Sequence, residues 1–243
     1  MLSNRFLTRL FSTMETEKII LGYWDIRGRA GLNRAMLAFC KVPFTNKFYF
    51  FETYNDWFTK DKQEIGFDFP NLPYLIDGSN KITESKTIVK YIALKAGRRD
   101  LLGLDDDKKF IEIDVAYNVV DDLHNDILKL VLTKGDFQTE KEALFEKGAV
   151  KTKLDLLSKN LGEKEWLTSA ASIADVFMFE VLDFIYEIEA SQIENRKNLA
   201  DFRTRFSALP QIKAHRESED FKNMWFYPGL TAWNNVPANK LNL

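Results

Sequence analysis

The sequence predicts an α/β domain followed by an all-helical one, and three observations carry that expectation. Within the first hundred residues, extended apolar runs alternate with one helical face and end in a hairpin signal. The composition changes after Gly97, and beyond Asp107 every periodic segment has helical spacing. A chain of 243 residues, 45% hydrophobic and 29% charged, has the apolar content to close one large core or two small ones.

Each element has a local reason. Ile19 to Tyr23 is an apolar run that ends at Trp24-Asp25 and enters a turn at Arg27-Gly28-Arg29, a buried strand leading into a helix. Leu32, Ala35, Met36 and Phe39 share a helical face, and Val42-Pro43 ends that helix before Phe44 to Phe51 resumes an extended, aromatic-rich pattern. These three segments form a βαβ unit. Asn55 to Gln63 reads as a polar, mobile stretch. Tyr74 to Ile76, a turn at Asp77-Gly78 and Lys81-Ile82 form a hairpin. Ser85 caps a helix whose buried face is Ile88, Val89, Ile92 and Ala93 and which Gly97 stops.

The second half opens with a long helix carrying Ile111, Val115, Val119, Leu123, Ile127 and Leu130 on one face. Further helices run near Thr139 to Leu161, Ile173 to Ile188 and Leu199 to Phe206, and Ser172-Ile173-Ala174-Asp175 has the form of a capping box. The division expected is an extension over 1–16, an α/β domain over 17–98, a linker over 99–107 and a helical domain over 108–243.

Composition excludes several functions. A net charge of -2 lacks the basic footprint of a nucleic-acid binder. One cysteine, Cys40, rules out internal disulfides, CxxC redox chemistry and a cysteine-built zinc site, and with only His124 and His215 no histidine-rich metal centre is expected. Val176 to Tyr186 is interrupted by Glu180 and Asp183, so it reads as a core helix of a soluble protein with no membrane partner. Met1 to Thr13 carries Arg5 and Arg9, no acid, and Leu2, Phe6 and Leu10 at helical spacing. That is the pattern of a mitochondrial presequence; an untargeted extension, or a start at Met14, is the other reading, and the expected location is then the cytoplasm.

Leu21-Gly22-Tyr23-Trp24-Asp25-Ile26-Arg27-Gly28 and Phe67-Asp68-Phe69-Pro70-Asn71-Leu72-Pro73-Tyr74-Leu75-Ile76-Asp77-Gly78 resemble the mu class of cytosolic glutathione transferases. The likeness continues through Lys81-Ile82-Thr83-Glu84-Ser85, the Ser172 to Asp175 box and Leu209-Pro210-Gln211-Ile212-Lys213, and so covers Glu17 to about Trp233. It implies a thioredoxin-like N-terminal domain, an all-α C-terminal domain and a homodimer. It also implies conjugation of the glutathione thiolate to hydrophobic electrophiles in detoxification. Glutathione is then a cosubstrate, and no cofactor or metal is expected. A glutathione-dependent isomerase and a non-catalytic ligand-binding relative on the same fold are the alternatives.

A tyrosine that ends a core strand either leaves its hydroxyl in solvent or donates it to an anion; the resemblance places Tyr23 where the family keeps its catalytic tyrosine. Arg27 and Arg29 would put fixed cations near the sulfur. The second of them departs from mu toward alpha and sigma enzymes, which gives Arg29 an auxiliary catalytic role or leaves it a solvated surface arginine. For glutathione the resemblance implies Tyr23, Trp24, Trp57, a lysine at Lys60 or Lys62, Asn71, Leu72 with a cis bond to Pro73, Glu84, Ser85 at a helix N-terminus, and Asp122 reaching the neighbouring subunit's ligand, with Asp121 its near alternative. It sets Ile26, Arg29, Asp121, Asn125, Tyr227 and Trp233 in the electrophile pocket, Leu132 where mu has an assisting tyrosine, and Phe69 at the subunit interface. Several pocket positions are polar where mu is apolar, so substrate preference does not carry over.

Overall fold

Strand β1 (Ile19–Trp24) organises the first half. In a computed structural model that describes residues 18–50 and 53–227, β1 lies in a four-stranded sheet of order β2-β1-β3-β4. Met1 to Thr13, Phe51 and Trp233 lie outside the described residues. Helix α1 (Gly28–Phe39) crosses over to β2 (Phe44–Tyr49), which pairs parallel with β1 in the register Tyr23 to Phe48. Strands β3 (Tyr74–Asp77) and β4 (Asn80–Thr83) form the expected hairpin, with Gly22 opposite Tyr74 and Tyr74 opposite Thr83.

This mixed topology decides where a site can form. Because β3 runs against β1 and β4 runs against β3, the ends of β1, β2 and β4 and the start of β3 meet at one edge of the sheet. Tyr23, the segment after β2, Leu72-Pro73 and Ser85 therefore converge there although about sixty residues separate the first from the last. Helix α3 (Ser85–Lys95) follows, and Gly97, at φ +70°, ends it.

The stretch expected to be polar and mobile is wound. A π-helical turn, Asp56–Asp61, runs into the short α2 (Lys62–Glu64). Its anchor is Trp57, 3% exposed, whose ring stacks on Tyr74 at 5.9 Å and meets Tyr49 edge-on at 5.4 Å.

A 3-10 turn at Arg99–Leu102, with Leu101 and Leu102 buried, leads into α4 (Asp107–Val131). The six apolar positions of α4 do not share one face. Steps of four residues advance about 40° each on a 100° helix, so from Ile111 to Ile127 the stripe rotates by about 160°. Leu123, Ile127 and Leu130 are buried, whereas Ile111 and Val115 are 58% and 60% exposed; Ile113 and Tyr117 face the core instead.

The single helix expected near Thr139 to Leu161 is broken into α5 (Phe137–Glu142), a π-helical turn Ala143–Lys147 and α6 (Ala149–Leu161). The break falls at Gly148, where a Cβ would lie 2.6 Å from the Ala143 carbonyl oxygen and 2.8 Å from Leu144 Cα. Helix α7 (Ile173–Ile188) forms the spine of the second half, started by the expected box: Ser172 Oγ accepts from the Ala174 N–H, and Asp175 accepts from the Ser172 N–H at 2.9 Å. Helices α8 (Ser191–Glu194), α9 (Lys197–Ser207), α10 (Pro210–Arg216) and α11 (Glu219–Asn223) complete the chain described.

The two halves are bolted together by charge. Arg27, just before α1, is buried, pairs with Glu180 at 3.2 Å and Asp183 at 2.8 Å, and lies over the Phe226 ring at 3.5 Å. Arg203 and Arg216 reach the same Asp183 at 2.6 and 2.7 Å. Burial would raise the Asp183 carboxyl, but three guanidinium groups outweigh it and hold it well below the usual carboxylate range. No helix among the described residues is long and apolar enough to cross a membrane.

Candidate functional site

At the sheet edge where the strand ends converge lies a cavity of about 500 Å³. Tyr23, Trp24, Arg29, Trp57, Lys62, Asn71, Leu72, Pro73, Glu84 and Ser85 border it, so most residues expected to hold glutathione come together. The Leu72-Pro73 bond is cis, as expected. Of the two candidate lysines Lys62 borders the cavity and Lys60 does not.

Tyr23 is 6% exposed, its ring packed over the first turn of α1. A Cβ at Gly28, whose φ is +38°, would stand 2.9 Å from the tyrosine oxygen, so glycine is what admits the ring. The Arg29 N–H donates to that oxygen at 3.2 Å. Burial raises the phenol above its ordinary value, outweighing the Arg29 N–H and the charges of Arg29 and Arg34. The hydroxyl therefore keeps its proton at neutral pH, accepts from the backbone, and has that proton left to donate.

Ser85 does not cap α3. It is the first helical residue, Glu84 takes the cap position at φ +68° and ψ 111°, and neither side chain makes a capping bond. Ser85 instead borders the cavity at the first turn of α3, whose leading N–H groups have no partner within the helix, an arrangement suited to a carboxylate. Glu84 accepts from the Asn71 amide at 3.1 Å, and Asn71 Oδ1 accepts from the Leu72 N–H at 2.9 Å. This side-chain pair braces the backbone on which a peptide would align.

Arg27 is a correction. Its buried pairing with Glu180 and Asp183 commits it to the junction of the halves and not to a sulfur at Tyr23, because a desolvated guanidinium must meet carboxylates. Arg29, two residues on, is exposed and borders the cavity.

The positions expected to form an electrophile pocket are divided. Arg29, Asp121 and Tyr227 wall a pocket at the junction of the halves with a volume of about 20 Å³, room for about one water. Asn125 borders a second, open groove of about 820 Å³ along α4, which Arg29 also touches and where Leu132 and Asp122, the latter expected at the neighbouring subunit's glutathione, lie beside it. Ile26 is 4% exposed and borders none of these, its backbone bridged to Trp225, and Trp233 lies outside the described residues. Asp121 is buried and accepts from Lys86 at 2.6 Å, while Asp122, its neighbour, is exposed. Phe69 is 81% exposed.

Sequence reasoning missed Phe58 and Lys86, which border the first cavity, and His124, which borders the small pocket. Adjacency to Trp57 and Ser85 was the available signal for the first two. His124 is packed edge-on against Phe177; burial first, then Arg29 and Lys86, bring its pKa down to about 4, so it is neutral at pH 7. Cys40, at the end of α1, is half-buried, and burial pushes its thiol up to about 11, which leaves it inert. Among the described residues no group of three or more His, Cys, Asp or Glu side chains is arranged to hold a metal ion.

Residues 20–94 match a family model described as "Glutathione S-transferase, N-terminal domain", and residues 121–219 match one described as "Glutathione S-transferase, C-terminal domain". Glutathione S-transferase Mu 5 of Homo sapiens is 34% identical over 219 residues, covering 88% of this chain and 97% of its own. Mu 4 of Mus musculus is 33% identical over 222 residues, covering 88% and 98%. Among solved structures, the glutathione S-transferase Blo t 8 superposes with a TM-score of 0.77 at 24% identity, over 88% of this chain and 99% of that one. The Pi-class enzyme of Onchocerca volvulus gives 0.73 at 24% identity, over 87% and 98%. At that identity the two structures bear on the fold alone.

Proposed function

The chain belongs to the glutathione S-transferase family, and from that premise we propose that it conjugates the glutathione thiolate to hydrophobic electrophiles, in the manner of the mu class, as a cytoplasmic detoxifying homodimer. The first domain, residues 17–98, holds glutathione, and the helical domain, residues 108–243, presents the acceptor. The observation that carries this reading is Tyr23: a buried, protonated hydroxyl on the wall of the cavity, with its lone pair already engaged by the Arg29 N–H. A hydrogen bond to a charged acceptor contributes about 1.5–3 kcal/mol, which lowers a thiol pKa of about 8.5 by about one to two units. The thiolate then becomes a major species at neutral pH.

Glutathione lies across the sheet edge in this reading. Its γ-glutamyl carboxylate meets Ser85 and the first turn of α3, its α-amino group meets Glu84 and the partner's side of the dimer through Asp122, its cysteinyl backbone pairs with Leu72, and its glycine carboxylate meets Lys62 beside Trp57. The exposed Phe69, Ile111 and Val115 support a second copy covering that side. No metal or prosthetic group enters the step: positioning and thiolate stabilisation do the work.

Initial rates with 1-chloro-2,4-dinitrobenzene test the reading. The wild type should exceed the uncatalysed rate, and Tyr23→Phe should lose about 10- to 100-fold in kcat/KM while still binding immobilised glutathione. Retention of glutathione by both proteins with no turnover above background would hand the lead to a binding protein or a specialised isomerase.

A further inference from the structure

We propose that the acceptor site selects electrophiles that carry an anionic group on an apolar body, and that Arg29 is the residue that recognises the anion. This deepens the glutathione transferase reading and rests on it. Arg29, in the first turn of α1, is the one described residue that borders the glutathione cavity, the small junction pocket and the open groove along α4. Arg29 is thus the residue that the groove shares with the cavity in which a sulfur would meet Tyr23.

Arg29 is also uncommitted, as is Lys62 across the glutathione cavity, which this reading gives to the glycine carboxylate. The Arg29 side chain makes no ion pair among the described residues, and its backbone N–H is spent on Tyr23. The surrounding charges are matched: Lys86 with Asp121 at 2.6 Å, Arg27 with Glu180 at 3.2 Å, and Lys153 and Lys129 with Asp126 at 2.5 and 3.5 Å. His124 is neutral and adds no charge. Asp122, the remaining acid of the groove, is exposed and makes no ion pair with Arg29 among the described residues. Arg29 borders both the glutathione cavity and the groove, and an acceptor that carries a carboxylate offers it, from the groove, the planar, bidentate match that arginine favours, whereas a purely apolar acceptor leaves that side of the guanidinium to water.

The rest of the groove fits the body of such a molecule. Its volume of about 820 Å³ admits a substituted aromatic ring, and Leu128 and Leu132 offer it an apolar wall. The junction pocket, at about 20 Å³, does not. The step itself is ordinary aromatic substitution: the thiolate sulfur bonds to the ring carbon that carries chlorine, the carbon–chlorine bond breaks, chloride leaves with the electron pair, and the thiol proton has already gone to solvent. The carboxylate is recognised and not consumed.

The test compares 4-chloro-3,5-dinitrobenzoate with its methyl ester, each rate divided by its uncatalysed value, in wild type, Arg29→Leu and Arg29→Lys. Wild type should favour the acid; Arg29→Leu should lower the acid-to-ester ratio of kcat/KM about tenfold, and Arg29→Lys should restore part of it. The wild-type preference should shrink between 0.05 and 0.5 M salt, as the pairing of an exposed cation does. Equal losses on both acceptors would mean that Arg29 serves only the sulfur and would overturn the proposal, as would a wild type without preference. Catalysed turnover of neither acceptor overturns the transferase reading and this proposal together; turnover of both without discrimination overturns the proposal alone.

Discussion

Arg27 and Arg29 stand two residues apart in the same turn and have opposite fates. The first is buried against Glu180 and Asp183, the second is exposed at the cavity, and the difference is set by which of them the start of α1 turns toward α7. Charge alone did not distinguish them in the sequence, because both lie within six residues of Tyr23. The lysines after Trp57 pose the same problem, and there the winding of the Asp56–Asp61 turn brings Lys62 to the cavity. Lys62→Met should raise the glutathione KM about tenfold with kcat little changed, the signature of binding shared by ground and transition states, and Lys60→Met should change neither. Steady-state kinetics with glutathione varied at a fixed acceptor concentration decide it; an effect confined to Lys60 would reverse the assignment.

Among the elements, α7 was the most legible, because its start is written locally. Asp175 accepts from the Ser172 N–H, the Ser172 hydroxyl and the Leu167 N–H at 2.8 to 2.9 Å, all buried. Asp175→Ala leaves two buried backbone donors without an acceptor, each worth about 1–3 kcal/mol, so a loss of about 3 kcal/mol in urea unfolding is expected. A loss below about 0.5 kcal/mol would show that the box is dispensable. The segment from Asn55 to Gln63 was the least legible. Its composition reads as loop, and one indole, Trp57, buried on Tyr74 and Tyr49, is what winds it. On α4 the i, i+4 spacing was read as one face although its drift carries the stripe around the helix, and the misplaced end, Ile111 and Val115, is exposed beside Phe110.

For the whole molecule, that exposed surface and the fully projecting Phe69 lead to a prediction about assembly. Sedimentation of the wild type at micromolar concentration should give a dimer, and Phe69→Glu should shift it toward monomer; a monomeric wild type would remove Asp122 from the glutathione site. The acid limb of stability follows from the two histidines. Burial first, with nearby arginines, holds both His124 and His215 at about 4, below the unfolded value of about 6.5. Between those values the unfolded chain binds protons that the folded one does not, so stability falls as pH drops from about 6.5 toward 4. Asp183 cannot cause that loss. Its folded pKa is depressed, so its contribution is present above the unfolded carboxylate value of about 3.9 and fades only below it. Urea midpoints at pH 7.5, 5.5 and 4.5 should decline, and a His124→Phe, His215→Phe double variant should flatten the decline; an unchanged slope would assign it elsewhere.

The sequence by itself determined the two-part architecture, the strand–helix–strand start, the hairpin, the box that begins α7 and the residues of the cavity edge. The elements depend on local periodicity and capping chemistry, which are contiguous in the chain, and the residues of the cavity edge came through the family resemblance that a run of motifs carries. Tertiary structure alone decided which arginine faces the cavity, which lysine reaches it, and that Ser85 lines the wall instead of capping its helix. It also divided the acceptor positions between a nearly filled pocket and an open groove. The physical reason is common to all of these: each outcome depends on how far burial and charge pairing between α1, α4 and α7 have already committed a side chain, and those elements meet only across the fold.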